Sequence, residues 1–366
     1  MFQIISFIAA FQSLFFGGLV IVKKNKSMFD RHLSAWLLFL TVHILCISVS
    51  QNENISYSDG FIYPSYILAG LHGFFLYLCT KSLICNSPKD FKKEYITIVG
   101  YILIAIIGFI FYNLYPQETT IATRIFAFCF NALFIILAVR LFHRYKRFLK
   151  TNFSNIDKLS FNWMRFLAFG LIILLSGAFI LVVFREVFSF SISLYSIFAA
   201  IILLFVNVLG FRGIKHSTIF NQTIIPYNQA QIEKQPATNK EDASSSYANY
   251  GLKQQDAISL SKELQSYMED EKPYTNMDLT LKDLASALNT YPHYVTQVLN
   301  TVFNQNFYDF INTYRVDEAK KRLVDSQFKN LTILAIAYDC GFNSKSTFNR
   351  IFKQKTGFTP SEYRNK

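Results

Sequence analysis

The side chains best equipped for chemistry in this sequence fall into two short series. The first is His293, Thr296, Gln297 and Asn300; the second is Lys345, Ser346, Asn349, Arg350 and Lys353. Intervals of three and four residues dominate both, the spacing that brings side chains onto one face of an α-helix. Arg350 offers a planar fork of donors, and Gln297 an amide with donor and acceptor side by side, so both suit flat partners with two hydrogen-bonding points. No HExxH or GxxxD-type pairing marks a metal or aspartyl protease anywhere in the chain. The chemistry on offer is recognition, not bond cleavage.

The elements that must present these series are duplicated. Leu279, Thr280, Leu281, Leu284, Ala285 and Leu288 recur 52 residues later as Leu331, Thr332, Ile333, Ile336, Ala337 and Cys340. Val295, Gln297, Val298, Leu299 and Asn304 recur 53 residues later as Phe348, Arg350, Ile351, Phe352 and Gly357. Each copy reads as a short helix, a turn and a second helix that turns one polar series outward. Thr280 with Asp283 is a capping-box-like start, and Pro292 suits the first turn of the next helix. In copy two, Gly341 fits a bend with positive φ and Ser344 an N-cap. A long helix from about Phe307 to Ser326 joins the copies. An amphipathic helix carrying Ile258, Leu260, Leu264, Tyr267 and Met268 precedes them and ends before Pro273.

Copy two holds the most specific pattern: Ile336-Ala337, Gly341-Phe342, Ser346, Phe348, Arg350, Phe352-Lys353, Gly357, Thr359-Pro360 and Tyr363-Arg364. With Phe307 to Asn312, Tyr314-Arg315 and Ala319, it resembles the DNA-binding domain of AraC-type (arabinose-regulator-like) transcriptional regulators, over roughly residues 255–366. The resemblance implies double-stranded promoter DNA as partner, with two recognition helices in major grooves one turn, ~34 Å, apart. Arg350 is then expected on guanine and Gln297 on adenine, each worth ~1–3 kcal/mol of discrimination. Lys353 and Lys355 suit phosphates. Copy one departs from this pattern, because Pro292 to Phe303 contains no Lys or Arg. Copy two is therefore expected to dominate affinity.

The remainder of the chain is of another kind. Of 366 residues 52% are hydrophobic and 16% charged, against about a quarter charged in soluble domains. Net charge is +12, but residues 1–211 hold 17 basic and 8 acidic side chains while residues 256–366 hold 14 and 13. The bulk charge is thus no argument for DNA. Apolar runs at 2–22, 33–50, 62–84, 95–115, 121–142, 164–184 and 187–211 each approach the ~20 residues of a membrane-spanning helix. The first has no Lys or Arg before it and no cleavage site after it, so it is read as a span and not a signal peptide.

Loop charges alternate with these runs. Lys23, Lys24, Lys26 and Arg31, then Lys81, Lys89, Lys92 and Lys93, then Arg144, Lys146, Arg147, Lys150 and Lys158, then Arg212 and Lys215 mark one side. Glu53 and Asp59, Glu118, and the pair Arg185 and Glu186 mark the other. Because basic loops stay in the cytoplasm, the N-terminus is expected outside and the C-terminal tail inside. Gln12, His43, His72, Asn131 and Asn207 are polar residues within the runs; they suit hydrogen bonds between helices, or a ligand pocket lined by His43, His72 and aromatics. The five cysteines lack zinc or disulfide spacing and read as reduced packing residues.

The expected architecture is all-α: a seven-helix transmembrane bundle (1–212), a flexible cytoplasmic linker (213–253) and a domain of two helix-turn-helix units joined by a long helix (254–366). The linker, reaching on the order of 35 Å, would carry no strain. The function expected is that of a regulator in a bacterial inner membrane, controlling transcription in response to an effector that the sequence does not identify. RNA polymerase and a second copy of the chain are further expected partners, and no catalytic residue, metal or cofactor is expected. The competing reading is a transporter or membrane enzyme with a regulatory helix-turn-helix tail.

Overall fold

A computed structural model describes residues 1–50, 61–83, 85, 87–156, 164–174, 176–177, 193–220 and 252–365. Two compact units emerge: Met1–His143 with Phe161–Gln231, and Arg144–Ser160 with Ile232–Lys366. Among the described residues all regular structure is helical, apart from one isolated antiparallel bridge between Phe153 and Thr280.

The first unit contains α1 (Phe2–Val22), α2 (Met28–Ser50), α3 (Ile62–Gly70), α4 (His72–Ser82), α5 (Lys92–Leu114), most of α6 (Pro116–Asn152), α7 (Met164–Leu174) and α8 (Ser193–Phe220). Five described helices are long and apolar enough to cross a membrane: Phe2–Val22, Met28–Ser50, Pro88–Leu114, Ile121–Asn152 and Ser196–Lys215. Seven were expected. The sixth run is described mainly over the short α7, and the third is broken at Leu71 into α3 and α4.

That break has a physical cause. In an unbroken helix the Gly73 N–H would donate to the Ala69 carbonyl, four residues back. Instead the Gly73 N–H donates to Asn131 Oδ1 at 2.8 Å, and Asn131 Nδ2 donates to the Ala69 carbonyl at 2.7 Å. A side-chain amide from α6 thus occupies one rung of the helical ladder, a recognised cause of kinks. The other polar candidates within the apolar runs also bond one another. Asn207 Nδ2 donates to Gln12 Oε1 at 2.6 Å, joining α8 to α1. His43 Nδ1 lies 2.7 Å from His72 Nε2, while Trp36 Nε1 donates to His72 Nδ1 at 3.2 Å.

In the second unit α9 (Gln254–Asp270), α10 (Leu281–Ala287) and α11 (Pro292–Thr301) pack around Leu264, Met268, Leu284, Val295 and Val298. The connecting helix α12 (Phe307–Val324) leads to α13 (Ile333–Asp339), α14 (Lys345–Thr356) and α15 (Pro360–Arg364). Burial pushes the Cys340 thiol up to about 12, so it stays protonated and packs as an apolar group. The boundary at 212 differs from expectation, since α8 continues to Phe220. The rest of the expected linker, 221–251, lies outside the described residues.

Asn131→Ala leaves a buried N–H and a part-buried carbonyl without their partner. The expected loss is about 1–3 kcal/mol of stability, read by denaturant unfolding of the detergent-solubilised chain; an unchanged midpoint would remove Asn131 as the cause of the break.

Candidate nucleic-acid interface

Both helix-turn-helix copies are built by the same local devices. Thr280 accepts a hydrogen bond from the Asp283 N–H, and Asp283 accepts one from the Thr280 N–H, completing a capping box. At the matching place in copy two, Thr332 accepts from the Ala335 N–H. Each first helix then ends in the same two bonds, the pattern of a Schellman cap. The Thr290 N–H donates to the Ala285 carbonyl at 2.9 Å and Asn289 to Ser286 at 3.2 Å; Phe342 donates to Ala337 at 3.0 Å and Gly341 to Tyr338 at 2.9 Å. The left-handed residue is Asn289 (φ 48°) in copy one and Gly341 (φ 88°) in copy two. Asn304 (φ 53°) and Gly357 (φ 81°) close the second helices in the same conformation. The repeat read from side-chain types is therefore a repeat of backbone geometry.

The second helix of copy two, α14, has a buried face and an open one. Phe348, Ile351 and Phe352 enter the core, and Ser344 caps the start by accepting from the Thr347 N–H. Lys345, Ser346, Asn349, Arg350 and Lys353 are all exposed. Arg350 is oriented from behind, because its Nη2 donates to the Tyr308 hydroxyl at 3.1 Å. Lys355 Nζ donates to Thr313 Oγ1 at 2.6 Å, which draws it toward α12. Tyr308 was not singled out from sequence, since nothing near Arg350 in the chain points to a partner 42 residues earlier.

Copy one differs at the residue that matters most. His293 is exposed and lies over Tyr294, with ring centroids 4.0 Å apart. Thr296 and Asn300 are half-buried, and Thr296 Oγ1 donates to the Pro292 carbonyl at 2.9 Å. Gln297, expected to face outward and read adenine, is only 7% exposed. Its Oε1 accepts from the Leu252 N–H at 2.8 Å and its Nε2 donates to the Leu252 carbonyl at 3.1 Å. Both ends of the amide are engaged with the main chain ahead of α9, so the outward orientation is corrected. In copy two the equivalent position is the exposed Arg350.

His43 and His72 are brought together, but by the hydrogen bond between their rings described above, and both are buried. Among the described residues no group of three or more His, Cys, Asp or Glu is arranged to hold a metal ion.

Gln297→Ala should therefore act on stability. Losing two hydrogen bonds to Leu252 should cost about 1–3 kcal/mol in unfolding, with base preference of any bound DNA unchanged; altered preference at one base pair would return Gln297 to the reading face.

Residues 284–366 match the family model described as a helix-turn-helix domain. Over 87 residues the chain is 32% identical to an uncharacterised HTH-type transcriptional regulator of Staphylococcus aureus, an alignment covering 24% of this chain and 11% of that protein. It is 31% identical over 87 residues to the uncharacterised HTH-type transcriptional regulator YobQ of Bacillus subtilis, covering 24% of this chain and 35% of that one. For YijO of Escherichia coli, with the same description, the figures are 30% over 86 residues, 24% and 29%. The chain thus spans from 11% to 35% of the length of these relatives. A solved structure from Listeria innocua, described as a protein of unknown function, is 28% identical with a TM-score of 0.25, covering 28% of this chain and 93% of that one. The C-terminal part of this chain is a helix-turn-helix domain of the AraC type, similar to those of proteins named as bacterial transcriptional regulators.

Proposed function

We propose that this protein is a membrane-embedded transcription regulator whose C-terminal domain reads promoter DNA while its apolar helices receive the controlling signal. The observation that carries the reading is the open face of α14. Lys345, Arg350 and Lys353 stand exposed on one side of a helix whose other face is locked into the core, and Arg350 is held by Tyr308. A helix second in a helix-turn-helix unit enters the major groove with such a face toward base edges. Arg350 takes the bidentate guanine contact; Ser346 and Asn349 lie on the same face; Lys345 and Lys353 hold phosphates. Copy one supplies His293, Thr296 and Asn300 at the second groove with no cation on its helix, so α14 provides most of the grip.

Membrane placement is supported by five long apolar helices. Open apolar faces such as Ile96, Val99, Leu103, Ile107 and Ile110 on α5 add to that support, since they suit lipid better than water. The alternating loop charges support an N-terminus outside and a helix-turn-helix domain in the cytoplasm, where DNA is. RNA polymerase, a second copy of the chain and a small effector are the remaining partners of this reading.

Full-length protein in nanodiscs should select specific sequences from genomic DNA fragments. Arg350→Ala should cost ~1–3 kcal/mol and relax one base pair; equal weakening on every sequence would make Arg350 a phosphate contact, and no selection by the native chain would sink the reading. Reporter fusions after residues 55 and 150 should report opposite compartments, and same-side signals would overturn the topology.

A further inference from the structure

Residues 144–160 follow the apolar part of α6 in the chain, yet they belong to the same compact unit as the helix-turn-helix domain. Just past the end of α6, Phe153 forms an antiparallel bridge with Thr280. The Ser154 N–H and Oγ both donate to the Leu279 carbonyl, at 3.2 and 2.7 Å. Arg315 answers from α12: its Nη1 donates to the Ser154 carbonyl and its Nη2 to Ser154 Oγ, each at 3.1 Å. Ser154 is itself 1% exposed. One residue thus bonds at once to the strand before α10 and to the connecting helix, joining what holds copy one to what leads into copy two.

A second contact lies one turn earlier. Lys150 Nζ sits 3.7 Å from Asp309 Oδ2 and 5.4 Å from the centre of the Tyr308 ring. Tyr308 is the residue whose hydroxyl receives Arg350. A run of contacts therefore leads from Lys150 through the Tyr308 ring to the guanidinium on the open face of α14. A base-reading side chain is only as well placed as the groups that hold it.

We infer that residues 150–156 are a docking segment for the helix-turn-helix domain, and that this segment positions Arg350 for base reading through Tyr308. The inference rests on the DNA-binding reading above. Lys150 and Ser154 are positioning residues; neither lies on the open face of α14. Residues 150–152 are the last residues of α6, which runs as a helix from Pro116 to Asn152.

The test uses the full chain in nanodiscs. Phe153→Cys with Thr280→Cys should form an intrachain disulfide on mild oxidation, seen as a gel shift absent from either single variant, since bridged residues meet the distance that disulfides require. Failure to crosslink overturns the docking. Ser154→Pro removes a bonded N–H and the side-chain hydroxyl; it should lose roughly tenfold in preference at the base pair that Arg350→Ala relaxes, the scale of one bidentate base contact. Lys150→Arg should retain that preference and Lys150→Glu lose it. Uniform weakening at every base pair, or none at all, overturns the positioning role. A native chain that selects no sequence would defeat the DNA-binding reading, and the disulfide would still decide the docking.

Discussion

A guanidinium withdrawn from water must find an acceptor for its donors or cost the fold dearly, and Arg315, 1% exposed in the middle of α12, sets that demand here. Four bonds answer it: Nε to the Tyr274 carbonyl at 2.8 Å, Nη2 to the Asn276 carbonyl at 2.8 Å, and the pair to Ser154. Burial pulls Arg315 down to about 10, still well above neutrality, so the charge persists. Its partners come from two separated stretches of chain, Ser154 and Tyr274–Asn276, and satisfying them fixes how α12 lies against the loop ahead of α10. The turn of copy two obeys the same constraint. A Cβ at Gly341 would run into the Tyr274 carbonyl and crowd Arg315 Nε, and φ of 88° excludes most side chains in any case. Copy one, free of that neighbour, uses Asn289 at the equivalent bend.

The two copies are alike where the backbone must be held and unlike where side chains face outward. The Schellman bonds that end the first helices match, and left-handed residues follow both helices of each copy at equivalent places. The divergence is concentrated at Gln297 and Arg350, one turned in to hold Leu252 and the other turned out with Tyr308 behind it.

Local features were legible in the sequence because their causes are local. The capping box at Thr280 and Asp283, Pro292 in a first turn, Ser344 as an N-cap and the bend at Gly341 each depend on residues within a few positions. What the sequence hid was long-range. Gln297 is bound by a residue 45 positions away, Arg315 by one 161 away, and the α3–α4 break is made by an amide about 60 positions further on. Hydropathy saw one continuous run at 62–84 because Asn131 lies in a different run. Helical spacing placed Gln297 correctly beside Val298 and Asn300, yet spacing alone does not say where an amphipathic face stops, and at that margin Leu252 decided.

The partition of α14 bears on how freely its outer face can vary. Lys345, Ser346, Asn349, Arg350 and Lys353 contribute little to the core that Phe348, Ile351 and Phe352 build. Substitutions on the outer face therefore leave folding nearly untouched, and selection can explore them one at a time. In α11 the corresponding arginine position is taken by an amide that the fold needs, so the same exploration there meets a stability barrier at its first step. The outer face of α14 is thus free to vary at its arginine position, whereas α11 is held there by Gln297.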